Sequence, residues 1–319
     1  MHIAAVLLCL LPGCCARAQA VPAPLTLVNP YPVTGATDIA GTTTMTRALR
    51  AMQVYATPST TDALLQHLQR WLVSSLGVEV TVIRNPREGG TAAAKQVGNA
   101  DTPTLLFGGS GLTADTTLPA MRGLQPAALV ARIPLVLTVR SENAAKGIAR
   151  LLGQARGALL QIGTPGERTP GQQLALLLQR DRIGTIATVT YNGGNGALRG
   201  LLARQVDAAL IPLPAVLPYA AGGRMRILAI AADARHALLP GVPTFAESGL
   251  TFVTVSGWHG LFASPAVGNA DAARLRNALA AALRSDDARA ALSGLGYVAE
   301  FGAGGVLQKA LEEELRRPD

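Results

Sequence analysis

Short apolar runs rich in β-branched residues alternate with segments of helical period along most of this chain, and no other feature narrows its fold as much. Candidate strands are Leu25 to Val28, Val78 to Ile83, Thr104 to Phe107, Leu135 to Val139, Leu159 to Ile162, Ile186 to Thr190, Ala208 to Ile211 and Arg226 to Ile230. Helices are expected between them near 62–76, 171–181, 197–204 and 214–221. Strands interleaved with helices in this way predict α/β layers on largely parallel sheets. Farther on, Leu275, Leu279 and Leu283 recur every four residues while Arg274, Arg276 and Arg284 fall elsewhere, the pattern of a helix with one buried stripe. Leu307 to Arg317 reads similarly, with Glu312 to Glu314 on its solvent side.

Composition removes several classes of function. At 49% apolar and 15% charged residues the chain buries a core in one large or two medium domains, and no uninterrupted apolar run reaches the roughly 18 residues of a membrane span. The net charge of +8 comes almost entirely from arginine, with Lys only at 95, 146 and 309, and it is scattered. A nucleic-acid binder needs a basic stripe with interleaved aromatics, so that partner is not expected, whereas a mild attraction for small anions is.

Residues 3–11 form an apolar run followed by Ala18-Gln19-Ala20, a small-x-small cleavage pattern, so 1–20 are expected to be a signal peptide and the mature chain periplasmic. Cys9, Cys14 and Cys15 all lie in this segment, which leaves a mature chain without disulfides or thiolate chemistry. Leu11-Pro12-Gly13-Cys14 loosely resembles a lipoprotein box that would put a lipid on Cys14, although proline is unusual there.

Familiar catalytic constellations do not assemble. The histidines, at 2, 67, 236 and 259, have no metal-ligand spacing, so no metal site is read. Phe107-Gly108-Gly109-Ser110-Gly111-Leu112 fails as a nucleophile elbow because Leu112 stands where the second glycine belongs. Gly194 to Gly200 is one residue too long for a dinucleotide fingerprint, no Walker loop occurs, and no cofactor is expected. Three loops after strands are instead rich in Gly, Thr and Asn: 30–38, 163–171 and 191–196. Loops of this kind expose backbone N–H groups at a positive helix end, which suits a carboxylate or phosphate.

The runs Val189 to Leu198, Gln205-Val206-Asp207, Leu213-Pro214, Gly222 to Ile230, Gly241 to Gly249 and Ser256 to Leu261 together resemble one family, the substrate-binding proteins of tripartite tricarboxylate transporters, or Bug-type receptors. The Val-Pro-Thr-x-x-Glu-Ser-Gly block followed by Trp-x-Gly-Leu is its most specific signature, and the order of blocks agrees from Leu25 to about Ala299. The resemblance implies a two-lobed periplasmic-binding-protein fold of type II, a Venus flytrap, with lobe 1 at 21–126 plus 251–319, lobe 2 at 127–250, and a ligand cleft between them. It implies a monomeric receptor, not an enzyme, that holds a small organic acid and hands it to transporter membrane subunits or a sensor kinase. Carried onto this sequence, the ligand-binding residues are Tyr31, Thr34, Gly35, Ala36, Thr37 and Asp38 in lobe 1, and Thr164, Arg168, Thr169, Tyr191, Asn192 and Gly193 in lobe 2.

The chain departs from the family pattern in places that bear on the site. About 24 residues separate Asp38 from Asp62, so the first loop and its helix are split; Asp38 is expected at the ligand and Asp62 at the helix N-cap. Pro170 has no N–H to give, while Arg168 adds a cation able to pair with a carboxylate. Ile211 and Pro212 stand where many members carry an acidic residue and Asn, which removes a partner for a ligand amine. Asp207 is expected to order the start of a strand, and Trp258 and His259 to pack at the hinge. Two other readings stay open: a degenerate receptor that acts as a protein-interaction module through the inserted segment 39–61, and a secreted enzyme using the same cleft.

Overall fold

The strands separate into two sheets, each covered by helices on both faces. The computed structural model describes residues 25–29, 60–85, 90–110, 118–167, 169–180, 184–251 and 256–315. The strands are β1 (Leu25–Asn29), β2 (Val80–Arg84), β3 (Thr104–Gly109), β4 (Gln125–Ile133), β5 (Leu135–Arg140), β6 (Leu160–Thr164), β7 (Ile186–Thr190), β8 (Ala208–Pro212), β9 (Met225–Ala231), β10 (Gly257–Ala263) and β11 (Val298–Ala303). Among the described residues the helices are α1 (Thr60–Leu76), α2 (Thr91–Gly98), α3 (Ile148–Gln154), α4 (Pro170–Arg180), α5 (Gly193–Leu202), α6 (Leu213–Ala221), α7 (Asn269–Leu283), α8 (Asp286–Gly294) and α9 (Gly304–Leu315). One sheet has the order β11-β4-β10-β3-β1-β2 and the other β7-β6-β8-β5-β9.

Burial follows the residue pattern strand by strand. Leu27, Leu105 and Phe107 enter the core on one face of the larger sheet while Val28 and Leu106 enter the core on the other, as the two-residue period of a strand requires. In the smaller sheet Leu135, Leu137 and Val139 face one core and Val136 the other. Helix α1 buries Leu64, Leu65, Leu68 and Leu72 as a single stripe and ends at Gly77, whose φ of 66° is the left-handed conformation that closes a helix. Leu275, Leu279 and Leu283 of α7 are buried as their spacing predicts, and α1 packs against α7. The expected solvent side of the last helix is different: Glu314 is only 5% exposed and accepts a 2.6 Å hydrogen bond from Trp258 Nε1. A charge pattern on one helix carries no information about an indole on a distant strand.

The two sheets are two lobes. The chain passes from β4 to β5 through Pro134, which has no N–H for a ladder, and returns between β9 and β10. The boundary expected at 126/127 lies inside β4, whose residues Ala127–Ala131 are buried in the larger sheet. Strand polarity then decides which ends meet. β10 leaves the crossover antiparallel to β3, with His259 opposite Gly109, so the C-terminal end of β3 and of its parallel neighbours β1 and β2 points toward the crossover. β5 starts with Leu135 opposite Pro212, so the C-terminal ends of β8, β6 and β7 point the same way from the other lobe. In open α/β sheets these are the ends at which ligands bind.

Candidate functional site

In lobe 2 the predicted loops come together at this edge. The Tyr191 N–H donates to Thr164 O at 2.9 Å and the Gly193 N–H to Pro165 O at 2.8 Å, which ties the start of α5 to the loop that opens α4. Gly193 has a φ of 76° that permits the turn. With that N–H spent, Gly194 and Asn195 head the first turn of α5, and Asn192 before them is exposed with no side-chain capping bond. Helix geometry leaves the N–H groups of this first turn without an intrahelical acceptor, at the positive end of the helix dipole.

Other predicted site residues have their side chains committed inside lobe 2. Thr164 is fully buried and its hydroxyl donates to Gln172 Oε1. Thr169 is the N-cap of α4: its hydroxyl accepts from the Gln172 N–H at 3.3 Å and donates to Gly166 O at 2.7 Å, with Pro170 in the first helical position. Tyr191 turns its ring onto α5, where a Cβ on Gly200 would collide with it, and its phenol donates to Gln205 Oε1 at 3.2 Å. What Tyr191 and Thr169 bring to the edge is therefore backbone. Gly171 packs α4 onto the sheet, since a Cβ there would lie 2.5 Å from Leu210 O and 2.7 Å from Pro165 Cδ. Asp207 orders the start of β8, as expected: its carboxylate accepts from the Gln161 N–H at 2.9 Å.

In lobe 1, Tyr31, Thr34, Gly35, Ala36, Thr37 and Asp38 lie outside the described residues, as does Arg168 of lobe 2. The described part of the lobe 1 edge has an ion pair that sequence reasoning did not assemble. Asp62 stands inside the first turn of α1 rather than capping it, and its Oδ1 accepts from Arg84 Nε at 3.1 Å and Nη2 at 2.9 Å. Asp62 is buried while Arg84, the last residue of β2, keeps 41% of its side chain exposed. No local signal announces this pair, because the partners are joined only by the docking of α1 beside β2. Ser110, at the end of β3, is pinned to β10 by bonds between its N–H and Trp258 O and between its Oγ and the Trp258 N–H, each 3.0 Å. Trp258 and His259 are both buried beside this junction, as expected.

Among the described residues no three His, Cys, Asp or Glu side chains come together as a metal site, and no helix is long and apolar enough to cross a membrane. A hollow of about 430 Å³ lined by Pro126, Arg276, Gly304 and Gln308 sits at the far end of β4 from the crossover. It has no part in the edge-to-edge arrangement.

The most specific sequence block is a structural device. Thr244 and Glu247 form a reciprocal capping box, with the Thr244 N–H on Glu247 Oε2 at 2.7 Å and the Glu247 N–H on Thr244 Oγ1 at 3.0 Å. Arg235 bonds the same carboxylate, and these donors hold the Glu247 carboxyl below its usual range. Gly260 lets α9 approach β10 closely: a Cβ there would lie 2.6 Å from Leu307 Cδ1 of α9 and 3.1 Å from Ala128 O.

Comparison with known proteins agrees with this architecture. Residues 64–317 match the family described as tripartite tricarboxylate transporter family receptor. The protein BugT of Bordetella pertussis is 29% identical over 72% of this chain and 74% of its own length. A UPF0065 protein of Bordetella bronchiseptica is 27% identical over 63% of this chain, which spans 63% of that relative. Among solved structures, MatC from Rhodopseudomonas palustris with bound malate is 25% identical, with a TM-score of 0.67 over 92% of this chain and 97% of its own. The chain belongs to the receptors of the tripartite tricarboxylate transporter family.

Proposed function

We propose that this solute-binding receptor works in the periplasm, where it closes its two lobes around a small carboxylate-bearing molecule and presents it to the membrane subunits of a tripartite transporter or to a sensor. The observation that carries this reading is the convergence of strand C-termini and the α5 first turn on the crossover, where a carboxylate finds backbone donors without a buried cation. The malate bound by MatC is a solute of that chemistry. Thr34 to Asp38 and Arg168 are proposed to complete the site together with Asn192 and the N–H groups after Gly193. Arg84 bears on the class of solute: it offsets the charge of Asp62, so an ammonium group finds no uncompensated carboxylate there, and diacids are favoured over amino acids.

The test is a thermal-shift screen of residues 21–319 against malate, adipate, citrate, aromatic acids, amino acids and their amides. A ligand at a hundred times its Kd adds about 2.7 kcal/mol of stability. A diacid hit abolished by Asp38→Ala or Arg168→Ala supports the reading. A cooperative melt unmoved by every acid refutes it and favours a receptor that has given up small solutes.

A further inference from the structure

The lobes also touch beside the crossover, at a turn outside the two connections that cross, where the Leu213 N–H donates to Pro134 O at 2.8 Å and Val298 pairs with Arg132 of β4. The turn Leu295-Gly296-Tyr297, between α8 and β11 of lobe 1, lies directly against α6 of lobe 2. Gly296 has a φ of 85°, and a Cβ built on it would come 2.7 Å from Leu217 Cδ1 and 3.3 Å from both Leu213 Cγ and Pro214 Cα. The helix is thus seated on bare backbone. Beside it His236, on the segment that follows β9, is 6% exposed, with Nε2 3.5 Å from Tyr297 O. Its Nδ1 accepts from the Leu238 N–H at 3.2 Å, which assigns the ring proton to Nε2 and makes His236 the donor across the lobes. On the lobe 1 side the turn is held firmly, because Tyr297 is buried with its ring edge-on to His259 at 5.6 Å.

The position of this contact in the sheet gives it a mechanical meaning. In the order β11-β4-β10-β3-β1-β2 the strands that cross to lobe 2 are β4 and β10. The Gly296 turn leads into β11 on one side of them, while β1, β2 and the Asp62–Arg84 pair lie on the other. A rotation about the crossover that carries the β1 and β2 ends toward lobe 2 carries the β11 side away from it. We propose that the packing of Gly296 on Leu217, with the His236 bond to Tyr297, is a rear stop that stabilises the open arrangement of the lobes and parts when they close. A contact present in only one of two states sets their ratio, and the fraction in the competent state scales the apparent affinity for any solute.

The test needs no solute. Residues 21–319 contain no cysteine, so Gln66→Cys on α1 and Arg199→Cys on α5, both exposed positions in different lobes, take spin labels cleanly. The interlobe distance distribution is then read by pulsed electron resonance in the solute-free protein, with Leu217→Ala, Leu217→Trp and His236→Ala added in turn. Truncation weakens the stop and the tryptophan wedges it apart, so each variant that keeps a cooperative melt is expected to raise the short-distance population severalfold. His236→Ala keeps the question answerable where the Leu217 variants fail to fold. A shift to longer distances would mean that the contact forms on closure, and an unchanged distribution that it belongs to a rigid joint. Either result overturns the proposal.

Discussion

Acid should destabilise this protein through one buried imidazole. His259 lies on β10 with its ring 4.8 Å from that of Phe107 and 5.6 Å from that of Tyr297, and it is 6% exposed. Burial disfavours the imidazolium and pushes the His259 pKa down to about 4, against a smaller opposing effect of the bond to the Gly108 backbone. Between pH 6.5 and 4 the unfolded chain therefore binds a proton that the native protein does not. Stability falls as pH drops through that window, at about 1.4 kcal/mol per pH unit, and levels off near pH 4 after a loss of about 3 kcal/mol. The perturbation that isolates this group is His259→Leu, close in volume and unable to titrate. The variant loses the bond to Gly108 at every pH, so its absolute stability is not informative. What matters is the difference between the two proteins in urea midpoint from pH 7 to pH 4. His67 and His236, also held below their usual pKa mainly by burial, are present in both and cancel. With a urea slope of about 3 kcal/mol/M, the wild-type midpoint should fall about 1 M further than that of the variant. Parallel curves from pH 7 to pH 4 would refute the reasoning, since they would require His259 to take up its proton in the folded state as easily as in water.

Three substitutions test other parts of the account. Gly171→Ala drives a Cβ into the Leu210 carbonyl and Pro165, backbone and ring atoms that cannot yield, so α4 must lift from the sheet; a melt should record a loss of about 2 kcal/mol together with weaker binding of any hit from the solute screen. Ser285→Ala removes the N-cap of α8, whose Oγ accepts from the Ala288 N–H at 3.1 Å, and chemical denaturation should show a cost of about 1 kcal/mol with no change in binding. Trp258→Phe keeps an aromatic group but deletes the indole donor to buried Glu314 and leaves a small void, and the same assay should show a loss of about 2 kcal/mol.

Sequence alone determined whatever repeats with a short period or sits within one turn. The spacing of Leu275, Leu279 and Leu283 fixes a helix face, and the short apolar run Thr104 to Phe107 marks a strand. Periodicity is a local property, so one strand or helix is enough to express it. The blocks that carry the family resemblance are of this kind, which is why the family and the α/β class were legible while the solute was not. Only the tertiary structure brought Arg84 to Asp62, turned the Tyr191 ring from the edge onto Gly200, hid Glu314 beneath Trp258 and set Gly296 against Leu217. Each of these joins residues separated by many positions, and the separation leaves no spacing to read. They exist because strand order and polarity place the ends of β1, β2, β6 and β8 toward one crossover, and burial then decides which charged or aromatic group finds a partner there and which stays exposed.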